Sequence, residues 1–407
     1  MLVTRRAQCL IWQNRNVSGH RVETLPPEST TNADLLRVLA DALGLRSSAK
    51  PGTNVDWAEL LGLAARGGVL SWFSHASEVE NSAPEFAIET CKSERMRVAQ
   101  RNILLAKELC RVSHLLAERE IPCITFKGVA FSVQLHGNLT VRPSGDIDLL
   151  VRPGSWAGAQ RVLIEAGYRA VAHYQDAFQT TFFSESRGTT VDLHWELPPG
   201  YVTFETDSLW RARSVCPILG HPIPSLSTTD ALIVACVNLL KDYGRGSLNQ
   251  VVDVAVTLNG MDSSTWQRVM RRSRQLGCQR FVLGAASVVM ELFVDCLDKK
   301  IRRDCRRNRG VKRLAAEASA YLVSDSDAET PNVHGRWHEL VLEGRFRRRL
   351  AKFLFLLVRP NDDDRARVGL PDTVAFLYHL VRPIRWLASK TPIRLRRVLT
   401  SRSPTSS

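Results

Sequence analysis

The stretch that decides the fold of this chain is Arg142-Pro-Ser-Gly-Asp-Ile-Asp-Leu-Leu-Val151. Alternate side chains of an extended strand share a face, so Asp146 and Asp148 project to one side while the apolar residues between and after them pack into a core. Two carboxylates aimed at one point repel each other unless a cation lies between them. The pattern therefore predicts a site for Mg²⁺ or Mn²⁺, which prefer oxygen ligands.

A second strand-like segment, Thr189–Trp195, supplies a third carboxylate. Asp192 alternates there with apolar residues and so lies on the polar face of an otherwise buried strand. Each aspartate alone could simply pair or cap at a strand end, but three acids on two strands favour a shared site. His194 could act as a base or near a metal; its apolar strand neighbours favour a partly buried, hydrogen-bonded structural histidine.

Upstream, Lys127 and Gly128 stand at a predicted strand-to-helix junction. Glycine permits close backbone approach, the new helix offers free N–H groups at its positive end, and the lysine adds a cation. Together these features predict a phosphate-binding turn. A strand-end lysine followed by a turn glycine is the alternative.

Hydrophobic periodicity predicts helices in the N-terminal quarter and over 93–120. Short strands are predicted next, over 121–126, 146–151, 168–174, 178–183 and 189–195. Helices are predicted between the first three of these strands. After residue 200 the pattern is helical again. The fold class is therefore α+β, a small mixed β-sheet core flanked by N-terminal and C-terminal helical regions. The predicted organisation is an N-terminal helical region 1–95, an α/β core 96–200, a helical domain 201–323, a linker or loop 324–335, basic helices 336–398 and a disordered tail 399–407.

The 407 residues carry 55 Lys and Arg against 41 Asp and Glu, a formal charge of +14. This charge favours anionic partners. Two segments concentrate it, Lys299–Arg313 and Arg345–Lys352. These basic helices could bind RNA phosphates or an anionic acceptor, or could simply be solvated faces.

Several classes of protein are excluded or disfavoured by what the sequence lacks. No apolar run reaches the ~20 residues of a spanning helix, so membrane insertion is not expected. The N-terminal residues have no apolar stretch of signal-peptide length, and a cytoplasmic location is expected by default. The nine cysteines are widely spaced and are expected to be reduced core residues. The common signatures of Walker A loops, zincins, serine hydrolases and dinucleotide-binding folds are absent.

Taken together, the motifs resemble the polymerase-β-type nucleotidyltransferase superfamily, and more closely its branch of bacterial "nucleotidyltransferase family" proteins. The resemblance rests on Lys127-Gly128, Arg142, Asp146-Ile-Asp148 and Val191-Asp-Leu-His-Trp195, and it extends over about residues 34 to 390. It implies that Asp146 and Asp148 hold divalent metal, with Asp192 as the third carboxylate, placed to ligate metal or to activate the acceptor hydroxyl. It also implies that Lys127, Gly128 and Arg142 bind a triphosphate.

The implied reaction moves NMP from an NTP substrate to a hydroxyl or phosphate of an acceptor, with release of pyrophosphate. The acceptor, whether small molecule, peptide, glycan or RNA, stays open. The chain departs from most of the superfamily, which has Gly-Ser at Lys127-Gly128, and from the branch, which has histidines where this chain has Asn238 and Asp242. Asp253 matches the branch pattern but could simply cap or pair.

Two other functions remain open from the sequence. Nucleotide-sugar glycosyltransferases also use Asp-x-Asp with Mn²⁺, although they would need a larger nucleotide-binding half before that motif. An inactive nucleotide- or RNA-binding module would keep the three acids for structural reasons.

Overall fold

The computed structural model describes residues 30–45, 55–174, 178–197, 206–241, 247–293 and 297–323, together with Leu342, Leu350 and Leu377. Several predictions lie outside the described residues. These are the linker 324–335, nearly all of the basic helices 336–398, the tail 399–407 and the position of Asp242. The domain boundaries and the cytoplasmic location stay predictions.

In the described residues before the sheet there are four helices. They are α1 (Thr30–Ala42), α2 (Trp57–Arg66), α3 (Ser77–Ser82) and α4 (Glu85–Glu118), with a 3₁₀ turn at Leu70–His75 between α2 and α3. Asp56 begins α2 by accepting a hydrogen bond from the backbone N–H of Glu59 at 3.1 Å. The long α4 serves two cores: Ala87 and Cys91 near its start pack among the N-terminal helices. Residues from Leu105 onward pack against the sheet instead.

A seven-stranded mixed sheet forms the centre of the molecule. Its strands are β1 (Cys123–Thr125), β2 (Ile147–Val151), β3 (Arg169–Tyr174), β4 (Gln179–Ser184), β5 (Thr189–His194), β6 (Ser214–Ile218) and β7 (His221–Ser225). Their spatial order is β3-β4-β5-β2-β1-β7-β6. The β2–β5 and β1–β7 pairs are parallel and the others are antiparallel. The α+β class and the five predicted strands are confirmed.

Strands β6 and β7 were not predicted, and their composition explains why. Pro217, Pro222 and Pro224 lie within them. Proline cannot donate to a ladder and normally argues against a strand, except near the edge of a sheet. The β6–β7 hairpin occupies that position: β6 is the edge strand, and β7 meets β1 through one residue pair, Thr125 with Ser225.

Nine further helices surround or follow the strands in the described part of the chain. They are α5 (Gly128–His136), α6 (Trp156–Glu165), α7 (Thr206–Arg211), α8 (Thr228–Leu240), α9 (Leu248–Leu258), α10 (Ser263–Gln275), α11 (Gln279–Leu292), α12 (Lys299–Arg306) and α13 (Arg309–Val323). Helix α8 is buried on nearly every side, packing against α9, α10 and α11. Among the described residues, no helix is both long and apolar enough to cross a bilayer.

The two faces of the sheet belong to different apolar cores. Ile147, Leu149 and Val151 of β2 pack on one face with the second half of α4. Leu150 packs on the opposite face, in the core that the N-terminal and C-terminal helices share. Because side chains alternate along a strand, Asp148 belongs to the face of Leu150. The helical regions therefore lie on the side of the sheet toward which Asp148 projects.

Candidate active site

Asp148 and Asp192 lie side by side at the centre of the sheet. Strands β2 and β5 run parallel, and the register pairs Asp148 with Asp192 directly. Both residues are buried, with exposed fractions of 7% and 4%. The Thr181 hydroxyl on β4 donates to Oδ1 of Asp192 at 2.7 Å and so fixes that carboxylate from the far side. The predicted meeting of two acids from different strands is present in the structure.

His194 is the third member of this cluster. Ligand atoms of Asp148, Asp192 and His194 lie within 4.8 Å of one another. The buried His194 ring donates from Nε2 to Oδ1 of Asp148 at 3.2 Å and packs edge-on against Phe126. Burial lowers the pKa of His194, an effect that the hydrogen bond to Asp148 only partly offsets. The neutral ring thus acts as a donor that orients Asp148.

Asp146 lies one residue before β2 begins and is half-buried. Its carboxylate is not part of the cluster formed by Asp148, Asp192 and His194. Its backbone carbonyl instead lies against Gly128: a Cβ added to that glycine would meet the carbonyl oxygen at 2.8 Å. Asp146 therefore contributes a close backbone contact to the phosphate-binding turn, and its role as a metal ligand stays a prediction.

The Lys127–Gly128 turn leads directly from β1 into α5, as predicted. Gly128 has φ +47°, and Lys127 has φ 61° and ψ −160°. The φ and ψ of Lys127 fall in a region of backbone conformation that glycine occupies almost alone, so the lysine backbone is strained. The Lys127 Nζ lies 3.6 Å from Oδ1 of Asp148 and 4.8 Å from the centre of the Phe126 ring. The lysine thus carries its cation to the edge of the acid cluster.

Arg142 has a different set of contacts from the one that the sequence suggested. Its guanidinium is buried and binds Asp253 in a bidentate pair, with Nε to Oδ1 at 2.7 Å and Nη2 to Oδ2 at 2.8 Å. Its Nη1 donates to the carbonyl oxygen of Gly128 at 3.2 Å. A direct contact between Arg142 and a triphosphate stays a prediction. Asp253 does more than cap or pair within its helix, because it joins that helix to the core.

The charge balance of the site depends on two lysines. Burial alone would raise the pKa of Asp148, but the ammonium of Lys127, the His194 hydrogen bond and, more weakly, the charge of Lys241 bring the pKa down to about 2. Asp148 is therefore ionised at neutral pH. Lys241, immediately after α8, was not singled out in the sequence analysis, because a lone lysine after an apolar helix carries no motif. Asn238, where the branch usually has histidine, is half-buried one turn earlier.

The mixed sheet thus places two register-paired aspartates beside the Lys127–Gly128 turn, and side chains of this kind can position phosphate groups by charge. Residues 53–294 match the family described as "uncharacterised nucleotidyltransferase". That match covers more than half of the chain, and the chain belongs to this nucleotidyltransferase family. It is therefore an enzyme of the transferase class. No curated protein sequence matches it.

The solved structures that are similar to part of the chain include the following three. The crystal structure of ANT(2'')-Ia in complex with adenylyl-2''-tobramycin has 13% identity and a TM-score of 0.34, covering 42% of this chain and 96% of that one. The solution structure of the antibiotic-resistance factor ANT(2'')-Ia has 14% identity and a TM-score of 0.30, covering 44% and 94%. An antigenic nucleotidyltransferase-like protein from Paracoccidioides brasiliensis has 16% identity and a TM-score of 0.27, covering 42% and 87%.

Proposed function

We propose that this protein transfers a nucleoside monophosphate from an NTP to a hydroxyl or phosphate group of an acceptor. An acceptor oxygen forms a bond to the α-phosphorus, the bond from that phosphorus to the bridging oxygen breaks, and pyrophosphate leaves with the electron pair. A hydroxyl acceptor gives its proton to Asp192. The observation that carries the proposal is the register pairing of Asp148 with Asp192. The ammonium of Lys127 lies 3.6 Å from Asp148 of that pair.

The acid cluster has the chemistry of a divalent metal site. We assign Asp146, Asp148 and Asp192 as the residues that would hold Mg²⁺ or Mn²⁺, with His194 fixing the orientation of Asp148. Two buried carboxylates in register offer the oxygen ligands that such ions prefer. When bound, the ion neutralises charge on the phosphates and polarises the reacting oxygens.

The Lys127–Gly128 turn would bind the triphosphate. The first N–H groups of α5 are free of intrahelical partners, and their positive end faces the turn. The Lys127 ammonium adds a mobile charge. A Cβ at position 128 would collide with the carbonyl oxygen of Asp146. Because glycine has no Cβ, phosphate oxygens can approach the backbone N–H groups closely.

The two alternatives from the sequence have less support. A glycosyltransferase would need several strands ahead of Asp-x-Asp, and in residues 30–45 and 55–146 the described structure has only β1. An inactive binding module would not need a cation beside strained backbone at the acids. Family membership also favours nucleotidyl transfer over both.

The test uses purified full-length protein with Mg²⁺ or Mn²⁺, each α-³²P-labelled NTP and a cell-extract mixture of small molecules, peptides, glycans and RNA. Asp146→Asn/Asp148→Asn is the inactive variant. Asp207→Asn is the matched control, since Asp207 is an exposed acid that accepts a hydrogen bond from Arg152 at 2.8 Å. We expect label transfer and pyrophosphate release with wild type and the control, and neither with the double variant.

The outcomes separate the three functions. Wild type that neither binds an NTP with metal nor transfers label overturns the proposal. NTP binding that survives both EDTA and Asp148→Asn, without transfer, supports the inactive module. Release of a nucleoside diphosphate from a nucleotide sugar supports a glycosyltransferase.

We also propose that helix α12 contacts an anionic partner, either the acceptor or a nucleic acid that carries it. Ile301 and Cys305 turn inward and are buried, so the outer face of the helix is left to its cations. This face is lined by Lys299, Arg302, Arg303, Arg306 and Arg307. The single acid within α12, Asp304, accepts hydrogen bonds from the Trp266 indole at 3.0 Å and from Lys300 of the same helix at 3.0 Å.

A further inference from the structure

A buried chain of polar contacts joins the Lys127–Gly128 turn to helix α9. Arg142 donates from Nη1 to the Gly128 carbonyl oxygen at 3.2 Å. Its Nε and Nη2 donate to the two carboxylate oxygens of Asp253 on α9 at 2.7 and 2.8 Å. Asp253 in turn accepts from Nε2 of His136 at 2.7 Å. The chain crosses from the sheet core to the helical region without passing through solvent.

The Arg142–Asp253 pair at the centre of this chain is costly to bury, and its stability depends on the geometry of its hydrogen bonds. Arg142 is 5% exposed and Asp253 is 1% exposed. Burial opposes the charge on each partner, yet Asp253 raises the pKa of Arg142 and Arg142 lowers that of Asp253. The planar guanidinium satisfies both carboxylate oxygens and still has Nη1 left for Gly128. A lysine would supply one compact charge and could not make all three contacts.

These contacts hold helix α5 at both ends. Gly128 is its first residue and His136 its last. Arg142 binds the carbonyl at the first residue, while Asp253 binds the ring at the last. Rotation of α5 about its axis or sliding along α9 would break at least one of these two contacts. The direction of its N-terminal N–H groups is thereby set by the helical region.

The turn at the start of α5 needs such support. Lys127 adopts φ 61° and ψ −160°, and Gly128 follows at φ +47°. Backbone in these regions persists only where its surroundings over-determine it. Arg142 holds the Gly128 carbonyl on one side, and the Asp146 carbonyl closes the other.

We propose that Arg142 and Asp253 are positioning residues that set the affinity for NTP through the backbone of the Lys127–Gly128 turn. They hold the Lys127–Gly128 turn in the conformation that presents the N–H groups of α5 to the triphosphate. The helical region thus controls nucleotide binding through Asp253. This inference rests on the proposed function.

The variants are Asp253→Asn, which breaks the pair, and Arg142→Lys, which keeps the charge and is the milder change. The matched control is Asp230→Asn. Asp230, which is itself fully buried, makes a similar bidentate pair with the part-buried Arg272, at 2.7 and 2.9 Å, between α8 and α10. It lies near the start of α8, eleven residues or about 16 Å of helix from Lys241, which faces the acid cluster.

Two measurements are made on the full chain. Calorimetry gives the Kd for each NTP with Mg²⁺, and hydrogen–deuterium exchange follows residues 127–131. We expect Asp253→Asn to raise Kd tenfold or more, Arg142→Lys to raise it three- to tenfold, and Asp230→Asn to change it less than twofold. Exchange at 127–131 should quicken in the first two variants only. Where turnover is measurable, KM should rise more than kcat falls.

Each outcome bears on the inference. Equal loss of affinity in Asp253→Asn and Asp230→Asn would mean that general destabilisation is responsible, and would overturn it. Unchanged Kd and exchange in Arg142→Lys would overturn it even if Asp253→Asn failed to fold. Wild type that binds no NTP would overturn the proposed function together with this inference. Wild type that binds normally beside an Asp253→Asn variant that binds equally well would overturn this inference alone.

Discussion

Asp148 and Asp192 are register partners on two parallel strands, and both carboxylates are buried on the same face of the sheet. Two neighbouring carboxylates normally raise each other's pKa. The pKa of Asp148 instead falls to about 2, because burial is outweighed by the charge of Lys127 and by the His194 hydrogen bond. The site is therefore built to keep negative charge at neutral pH, as a cation-binding site requires.

Metal binding should stabilise the folded protein through this pair. A ligand present at 100 times its Kd stabilises the native state by about 2.7 kcal/mol. We expect Mg²⁺ or Mn²⁺ to raise the Tm of wild type and to leave the Tm of Asp192→Asn unchanged, because that variant loses one of two register-paired ligands. Differential scanning calorimetry across a metal titration measures this shift.

The control for this prediction is Asp207→Asn, which should respond to metal as wild type does. Asp192→Asn should also be at least as stable as wild type without metal, since one buried negative charge is removed beside another. A metal-dependent rise of Tm that is the same in all three proteins would contradict the assignment of the site.

Lys127 should trade stability for nucleotide affinity. Its backbone conformation costs about 1–3 kcal/mol in a residue other than glycine. Lys127→Gly relieves that strain but loses the ion pair with Asp148. Glycine also makes the unfolded chain more flexible, which lowers the free energy of unfolding by about 0.4–1 kcal/mol. We expect the free energy of unfolding of Lys127→Gly, measured by urea denaturation, to exceed by about 1 kcal/mol that of Lys127→Met, which loses the same ion pair, and the Kd for NTP to rise tenfold or more.

Lys127→Met separates the two effects. Methionine keeps the strained backbone and the length of the side chain but removes the ammonium. It should lose nucleotide affinity as Lys127→Gly does but should be the less stable of the two variants, because it keeps the strain. If Lys127→Gly binds NTP as tightly as wild type, the lysine does not contact the triphosphate.

Much of this site could be predicted from the sequence because its signals are local. The alternation of acids with apolar residues around Asp148 and Asp192 predicted two strands with carboxylates on one face, and β2 and β5 confirm those strands. The change from strand to helix at Lys127 and Gly128 was equally local. Asp146 illustrates the limit: alternation placed it with Asp148, but β2 begins one residue later and the structure brings its backbone to Gly128.

The remaining features depend on contacts between distant parts of the chain. Arg142 and Asp253 are 111 residues apart, and neither position shows a pattern that names the other. His194 entered the acid cluster because β5 pairs with β2 in one register, a fact set by tertiary structure. The β6–β7 hairpin was hidden by its prolines, which propensity counts against any strand.

Acid should destabilise the protein partly through Asp253. Although burial alone would raise its pKa, Arg142 and His136 lower it below 3.8 in the folded state. Asp253 therefore contributes stability above the unfolded pKa, and that contribution is lost as the pH falls below about 3.8. The free energy of unfolding of wild type, measured with urea from pH 6 to pH 3, should fall steeply at the acid end.

Asp253→Asn should be less stable than wild type at pH 6 and should lose less stability between pH 5 and pH 3. One group contributes at most about 1.4 kcal/mol per pH unit to this slope. Asp148 is present in both proteins, so a difference between their slopes of unfolding free energy against pH is due to Asp253. Parallel curves for the two proteins would show that Asp253 is not ionised beside Arg142.

The outer face of α12 should bind polyanions through charge alone. Arg303 and Arg306 are exposed one turn apart, and no aromatic side chain stands between them in the helix. For single-stranded RNA, each phosphate neutralised contributes about 0.7 to the slope of log K against log salt. Reversing both charges in Arg303→Glu/Arg306→Glu should weaken binding of a fluorescent RNA oligonucleotide at least tenfold and flatten that slope by about 1 to 2.

The same two-charge reversal on α10, Arg268→Glu/Arg271→Glu, is the matched control and should change the slope by less than 0.5. Equal losses in both variants would mean that net charge governs binding rather than the α12 face, and preference for anionic vesicles over RNA would point to a membrane surface as the partner.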